Sequence, residues 1–133
     1  MALSQSEQTD QIKRFLDFLR EQIVVERVIL YGSFARGQAH AESDIDLAVL
    51  SPDFAGLDWF SRLRLLLRAA WKANTDWIEP VGYTPHEFDA SQPGTFADEI
   101  RSYGIVVYDV ATARASLAVR ESAANYKASA EST

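Results

Sequence analysis

The chain has 133 residues, a length typical of one domain with a sizeable core, and a formal net charge of −6. It contains no cysteine, which excludes disulfides, zinc–thiolate sites and thiol catalysis and is compatible with the cytoplasm. The negative charge provides no general attraction to a phosphate backbone, so we expect no direct nucleic-acid binding of the kind that a template-reading polymerase needs.

A helix and a strand are predicted first. We expect neither a signal peptide nor a membrane helix, because the first residues lack a charged start with an apolar core and no apolar run approaches ~20 residues. Residues 7–22 place apolar side chains at helical spacing, which predicts a core-covering helix with Ser6 or Thr9 as its N-cap. Residues 24–31 are rich in β-branched side chains and predict a buried strand.

A turn and a second strand follow. Gly32 and Ser33 interrupt the first strand, and a glycine there permits a tight turn whose amides and hydroxyl can point at an anion. Residues 44–50 predict a strand, in which alternation places Asp44 and Asp46 on one face. Two adjacent carboxylates are best tolerated around a cation, and such oxygens suit Mg²⁺. The stretch therefore predicts a phosphate-cradling turn beside a divalent-metal site, as nucleotidyl or phosphoryl transfer requires.

The middle of the chain predicts a long amphipathic helix over residues 57–73. We expect Arg62, Arg64 and Arg68 on its solvated side, although three arginines on one helix could also form an anion site. The side chains expected on its apolar face are Trp59, Phe60, Leu63, Leu66, Leu67, Ala70 and Trp71.

The remaining elements are shorter. Residues 76–83 predict a third strand, at a sheet edge because it contains a proline. Thr84 and Glu87 form a capping-box pattern for a short helix, and residues 96–103 predict another helix that ends with Gly104 at its C′ position. A fourth strand is predicted over 105–108, and residues 111–127 are compatible with a further helix.

A third carboxylate near the pair could come from Asp76 or Glu79. The two residues are three positions apart, so on a regular strand they face opposite sides. Ile78 must point into the core and shares its side with Asp76, which favours Glu79, together with Trp77, on the side of the cleft. Asp76 remains the alternative.

The filled-in motif GSFARG…SDIDLAV, with Gly32-Ser33 ten residues before Asp44-x-Asp46, resembles the signature of the DNA polymerase β-like nucleotidyltransferase superfamily. It is most similar to the minimal nucleotidyltransferases, which are often the MntA-type antitoxin of a HEPN/MNT toxin–antitoxin pair. The element order indicates an α/β (α+β) domain with a mixed four-stranded sheet and helices mainly on one face, and the resemblance implies the nucleotidyltransferase fold. We expect one domain over 1–133, with an N-terminal helix at 7–22, a core at about 25–110 and a helical tail at 111–133.

The resemblance implies transfer of AMP from ATP to a hydroxyl acceptor, plausibly a tyrosine of a partner HEPN toxin. Two Mg²⁺ ions are implied, and acceptor choice would come from a partner or from self-association as a homo-oligomer. The alternative is an antitoxin that blocks a HEPN ribonuclease by contact alone, and transfer to a small molecule would need a drug-binding domain that this short chain lacks. The expected catalytic and metal-binding residues are Asp44, Asp46 and Glu79, and the expected nucleotide-binding residues are Gly32, Ser33 and Arg36. A glutamate at position 79 departs from the aspartate that many superfamily members have.

Overall fold

The computed structural model describes residues 4–38 and 44–113. Most of the predicted C-terminal helix lies outside these residues. No helix in the described part is long and apolar enough to cross a membrane. The elements are α1 (Gln5–Leu19), β1 (Arg27–Tyr31), α2 (Gly32–Ala35), β2 (Ile45–Leu50), α3 (Trp59–Lys72), β3 (Ile78–Tyr83), α4 (Pro85–Asp89), α5 (Phe96–Tyr103) and β4 (Ile105–Asp109).

The four strands form one mixed sheet in the order β3-β2-β1-β4. β1 pairs antiparallel with β2 and β4, whereas β2 and β3 are parallel. The parallel pair is possible because α3 carries the chain back across the sheet between the two strands. The predicted mixed four-stranded sheet is confirmed, and β3 lies at the edge that its proline indicated.

The two long helices, α1 and α3, cover one face of the sheet. The alternation predicted for β2 is observed: Ile45, Leu47 and Val49 are completely buried in the cluster that these helices form. The short helices α4 and α5 cover only part of the other face, through a smaller cluster. Its buried members are Ile29, Ala48, Leu50, Phe88, Ala97 and Ile100. One end of that second face is left for polar side chains.

The ends of several elements differ from prediction. α1 occupies Gln5–Leu19 rather than 7–22, because Ser4 is its N-cap in place of Ser6 or Thr9. The Ser4 hydroxyl accepts from the Glu7 amide at 3.1 Å, and the Glu7 carboxylate accepts from the Ser4 amide at 2.8 Å, which forms a capping box.

Gly104 also differs from prediction. It has φ −74° and ψ 157°, an extended conformation rather than the left-handed one of a C′ glycine. The glycine is required by space instead, because a Cβ atom here would overlap a methyl group of Ile29 and the carbonyl oxygen of Ile100. The predicted capping box of Thr84 and Glu87 is confirmed.

The predicted position of Arg62 on the solvated side of α3 is wrong, because its side chain is only 8% exposed. Its guanidinium donates to the carbonyl oxygens of Leu57 at 2.9 Å and Gly82 at 3.3 Å. It also pairs with Glu87 at 2.9 Å. Burial of this arginine is tolerated because its charge and donors have partners, which bind the start of α3 to the end of β3.

The apolar face predicted for α3 is only partly buried. Leu66 and Ala70 are in the core, but Phe60, Leu67 and Trp71 are exposed. The helix has apolar side chains around most of its circumference, and the sheet covers only one side.

Candidate active site

A row of three polar side chains crosses the open end of the second face. Asp46 on β2 pairs in register with Tyr31 on β1 and with Glu79 on β3. Asp44 comes immediately before β2 and is exposed. Because alternate residues of a strand share a face, Asp44, Asp46 and Glu79 project to the same side. The structure thus brings together the three carboxylates that the sequence singled out.

The electrostatics of this group are those of crowded negative charges. A hydrogen bond between the Glu79 and Asp44 carboxyl groups raises the pKa of Glu79, and burial and the charges of Asp46 and Asp44 raise it further. Burial, followed by the charge of Asp44, raises the pKa of Asp46. A hydrogen bond between two carboxyl groups holds only while one of them keeps a proton. Above the raised pKa values, the site therefore favours a cation.

The alternative third carboxylate, Asp76, is exposed and precedes the first residue of β3. Glu79, by contrast, stands directly opposite Asp46. The predicted cleft position of Trp77 is wrong, since Trp77 packs against the core under α1 and α3. Trp77 comes immediately before β3, and its carbonyl oxygen still accepts from the Ile45 amide at 2.6 Å, but its side chain does not continue the alternation of Ile78 and Glu79.

The turn after β1 lies against the carboxylates. Gly32 has φ +73°, a left-handed conformation, and a Cβ atom added there would overlap the Asp46 carboxylate oxygen and lie 3.0 Å from its Cγ. Only glycine satisfies both constraints without strain. The turn continues directly into α2, and the Gln38 amide donates to the Ser33 carbonyl at 2.7 Å.

A cavity of about 290 Å³ opens beside the turn. The Arg36 guanidinium there pairs with Glu99 of α5 at 2.8 Å and lies 4.5 Å from the centre of the Tyr103 ring. The cavity therefore places one cation next to Gly32 and Ser33, in reach of an anion held by the turn. The residues that line it are Tyr31, Gly32, Ser33, Arg36, Gln38, Phe96, Glu99, Ile100 and Tyr103.

Tyr31 is a site residue that the sequence reasoning missed. Burial above all raises the pKa of its hydroxyl, and the charges of Asp46 and Glu79 act in the same direction. Its ring meets Phe96 edge-to-face at 5.6 Å. Its place as the last residue of β1, two strands from Glu79, was the available signal. A hydroxyl that stays neutral beside carboxylates is a hydrogen-bond donor to them or to a ligand.

The pair Asp44 and Asp46 fits Mg²⁺, although no group of three or more acidic, histidine or cysteine side chains in residues 4–38 and 44–113 is placed to hold a metal ion. Mg²⁺ is commonly held by one or two carboxylates, with substrate phosphates and water completing its shell. Asp44 and Asp46 supply such carboxylates beside a turn suited to phosphates, and their mutual repulsion is what a cation would relieve.

Comparisons with known proteins give the family. Residues 12–103 match the model of the nucleotidyltransferase domain. A protein of Methanocaldococcus jannaschii named "Putative protein adenylyltransferase MJ0141" is 31% identical over 84 residues, which cover 62% of this chain and 79% of the relative.

Solved structures share the fold. A chain of a toxin–antitoxin crystal structure with AMP-PNP has a TM-score of 0.53 and 20% identity, with 88% of this chain and 92% of that chain covered. A complex of a tri-AMPylated HEPN toxin from Shewanella oneidensis with its MNT antitoxin gives 0.51 and 17% identity, with 92% and 93% covered. The crystal structure of a "putative nucleotidyltransferase" from Sulfolobus solfataricus has a TM-score of 0.50 and 18% identity, with 82% of this chain and 92% of that chain covered. The family model spans most of the chain, the predicted resemblance to nucleotidyltransferases is confirmed, and the chain belongs to the nucleotidyltransferase domain family.

Proposed function

We propose that the protein transfers AMP from ATP to a hydroxyl group of a partner protein, specifically a tyrosine of a HEPN-family toxin. The observation that carries this proposal is the convergence of Asp44, Asp46 and Glu79 on the Gly32 turn. The names of the similar proteins support it, since one is named "Putative protein adenylyltransferase MJ0141" and one solved complex contains a tri-AMPylated HEPN toxin.

The turn and its cavity would bind the triphosphate. The Gly32 backbone permits close approach of phosphate oxygens, the Ser33 hydroxyl donates to them, and the Arg36 guanidinium supplies positive charge. Asp44 and Asp46 would hold Mg²⁺, which in nucleotidyl transfer neutralises phosphate charge and polarises the phosphorus under attack. Two ions are the expected number.

Glu79 would act on the acceptor. The acceptor hydroxyl oxygen forms a bond to the α-phosphorus of ATP, the bond to the bridging oxygen breaks, and pyrophosphate leaves with that electron pair. The proton of the hydroxyl passes to the Glu79 carboxylate. Glu79 suits this role because it stands directly opposite Asp46, beside the carboxylates that would hold Mg²⁺.

The test uses the full chain, ATP and any HEPN-family protein that a neighbouring gene encodes, with either MgCl₂ or EDTA. Intact mass spectrometry should show addition of AMP to the partner only with MgCl₂, and peptide mapping should locate it on tyrosine. Asp44→Asn and Asp46→Asn variants serve as controls and should leave the partner unmodified.

A stable complex without any increase in mass would instead support the alternative, an antitoxin that acts by contact alone. Addition of a different nucleotide from an NTP mixture would retain the enzyme class and correct the proposed substrate.

A further inference from the structure

The outer face of α3 exposes three large apolar side chains in one stripe. Phe60 is 71% exposed, Leu67 45% and Trp71 79%. Positions seven and four residues apart lie on the same side of an α-helix, so the three side chains are neighbours. We call these three residues the α3 outer stripe. Leu66, Ala69 and Ala70 bury the opposite side of the helix.

A row of cations borders the stripe. Arg64, Arg68 and Lys72 follow each other at intervals of four residues, and α3 contains no acidic residue between positions 59 and 72. Within the part of the chain that the structure describes, none of the three forms an ion pair. The face is therefore positive on a chain that has 19 acidic and 13 basic residues.

The cations also line a groove of about 430 Å³ between α3 and α1. Phe18 and Gln22 form the α1 side of the groove, and Arg64, Arg68 and Lys72 lie on the α3 side. An apolar ridge beside a positively charged groove is complementary to a helix that has an apolar stripe and a row of carboxylates next to it.

We propose that the α3 outer stripe and its cation row are a docking surface for an acidic amphipathic helix of a partner protein. Such a helix places apolar residues at i, i+3 or i+4, and i+7 against Phe60, Leu67 and Trp71, and its Asp or Glu residues meet Arg64 and Arg68. A phosphate backbone is a poorer match, because it leaves the three apolar side chains in water. A second copy is a poorer match on charge, since each copy carries −6.

The surface lies away from the carboxylate site. α3 packs Leu66 against the face of the sheet that carries Leu47, whereas Asp46 and Glu79 project from the other face. A helix bound to α3 therefore leaves the cleft accessible. The inference is independent of the proposed adenylyl transfer, because docking is measurable without nucleotide.

The test uses two labelled synthetic helical peptides of about 20 residues with the same leucine stripe, one flanked by glutamates and the other by lysines. Fluorescence anisotropy with the full-length protein should show that the glutamate peptide binds at least about tenfold more tightly at low salt, with the difference reduced at high salt. Leu67→Ser with Trp71→Ser should weaken binding of both peptides at least tenfold. Val106→Ser, which removes an exposed apolar side chain on β4, is the matched control and should change neither.

Charge reversal provides the sharper measurement. Arg64→Glu with Arg68→Glu should invert the preference, so that the lysine peptide binds more tightly, and a misfolded variant cannot give this gain. Failure of both peptides to bind, equal affinity for the two, or an unchanged preference in the reversed variant would overturn the proposal. So would tighter binding of a labelled single-stranded RNA at the same arginines, or a wild-type dimer that Trp71→Ser dissociates.

Discussion

Replacing Glu79 with glutamine should stabilise the metal-free protein while it removes activity. The Glu79 carboxyl meets Asp44 in a hydrogen bond and is crowded by Asp46, and both interactions raise its pKa. An amide donates a hydrogen bond to Asp44 permanently and carries no charge, so Glu79→Gln keeps the contact and relieves the repulsion. Folded proteins generally avoid close contacts between like charges. The contact of Glu79 with Asp44 and Asp46 is an exception, and it occurs where a cation is expected.

The size of the effect follows from Coulomb's law. Two like charges ~4 Å apart repel by ~1–4 kcal/mol for effective dielectric constants between those of water and of a protein surface. Glu79 is largely exposed, so solvent screening reduces the expected gain in unfolding free energy to about 1 kcal/mol. For a domain of this size, that corresponds to a rise in melting temperature of roughly 3–6 °C.

The pH dependence has a definite sign. A carboxyl whose pKa is raised by folding holds its proton more tightly in the folded state, so its contribution to stability is complete below the ordinary pKa of 4.5 and is lost as pH rises through the raised value. The melting temperatures of wild type and Glu79→Gln in EDTA should therefore agree near pH 4 and diverge towards pH 7, with the variant higher. Saturating Mg²⁺ should narrow the gap.

Asp76→Asn is the matched control, since it also removes one carboxylate from the same segment but lies outside the cluster. It should leave both the melting temperature and adenylyl transfer close to wild type. The reasoning is refuted if Glu79→Gln melts at or below wild type at pH 7, if the gap is larger at pH 4, or if Asp76→Asn is the more damaging to activity.

Three further predictions concern the nucleotide site. Gly32→Ala should destabilise the fold by at least ~1–2 kcal/mol in chemical denaturation, because the left-handed backbone is strained for alanine and the new methyl group displaces Asp46; unaltered stability would contradict this close packing. Ser33→Ala should melt like wild type but transfer AMP more slowly in the mass-spectrometric assay, and full activity would limit the serine to a structural role. Calorimetry should show markedly tighter ATP binding by the wild type with Mg²⁺ than in EDTA. An Asp44→Asn/Asp46→Asn variant should bind ATP equally in the two conditions. Equal affinities for the wild type would exclude the proposed metal role of these carboxylates.

Alternation along a strand was the sequence signal that located the site. It placed Asp46 opposite the buried Ile45 and Leu47 because β2 is regular over its whole length. Asp44, immediately before β2, continues the alternation and meets Glu79 in a hydrogen bond. The same rule failed for Trp77, which immediately precedes β3 and packs against the core under α1 and α3 instead. The start of a strand depends on its neighbour, and a single sequence does not show that neighbour.

In the helices, features set by neighbouring residues were visible in the sequence, whereas features set by tertiary contacts were not. The Ser4–Glu7 capping box was visible in the sequence as a Ser-x-x-Glu pattern, so the wrong start of α1 was avoidable. The burial of Arg62 was not visible, because its partner Glu87 is 25 residues away and meets it only after α3 packs against β3. For α3 itself, periodicity could not select which apolar side faces the sheet.

The order of the strands places the three carboxylates on parts of the sheet that differ in their resistance to local unfolding. Asp46 lies on β2, which has paired strands on both sides, whereas Glu79 lies on β3, at the margin of the sheet. Marginal strands generally unfold locally at lower free energy than central ones. Amide hydrogen exchange should therefore be faster in β3, around Glu79, than in β2, around Asp46. A molecule in which β3 has opened would keep only Asp44 and Asp46 in place at the site. A substrate that contacts both β2 and β3 would then stabilise their pairing, so the amides of β3 should become more protected from exchange when nucleotide is bound.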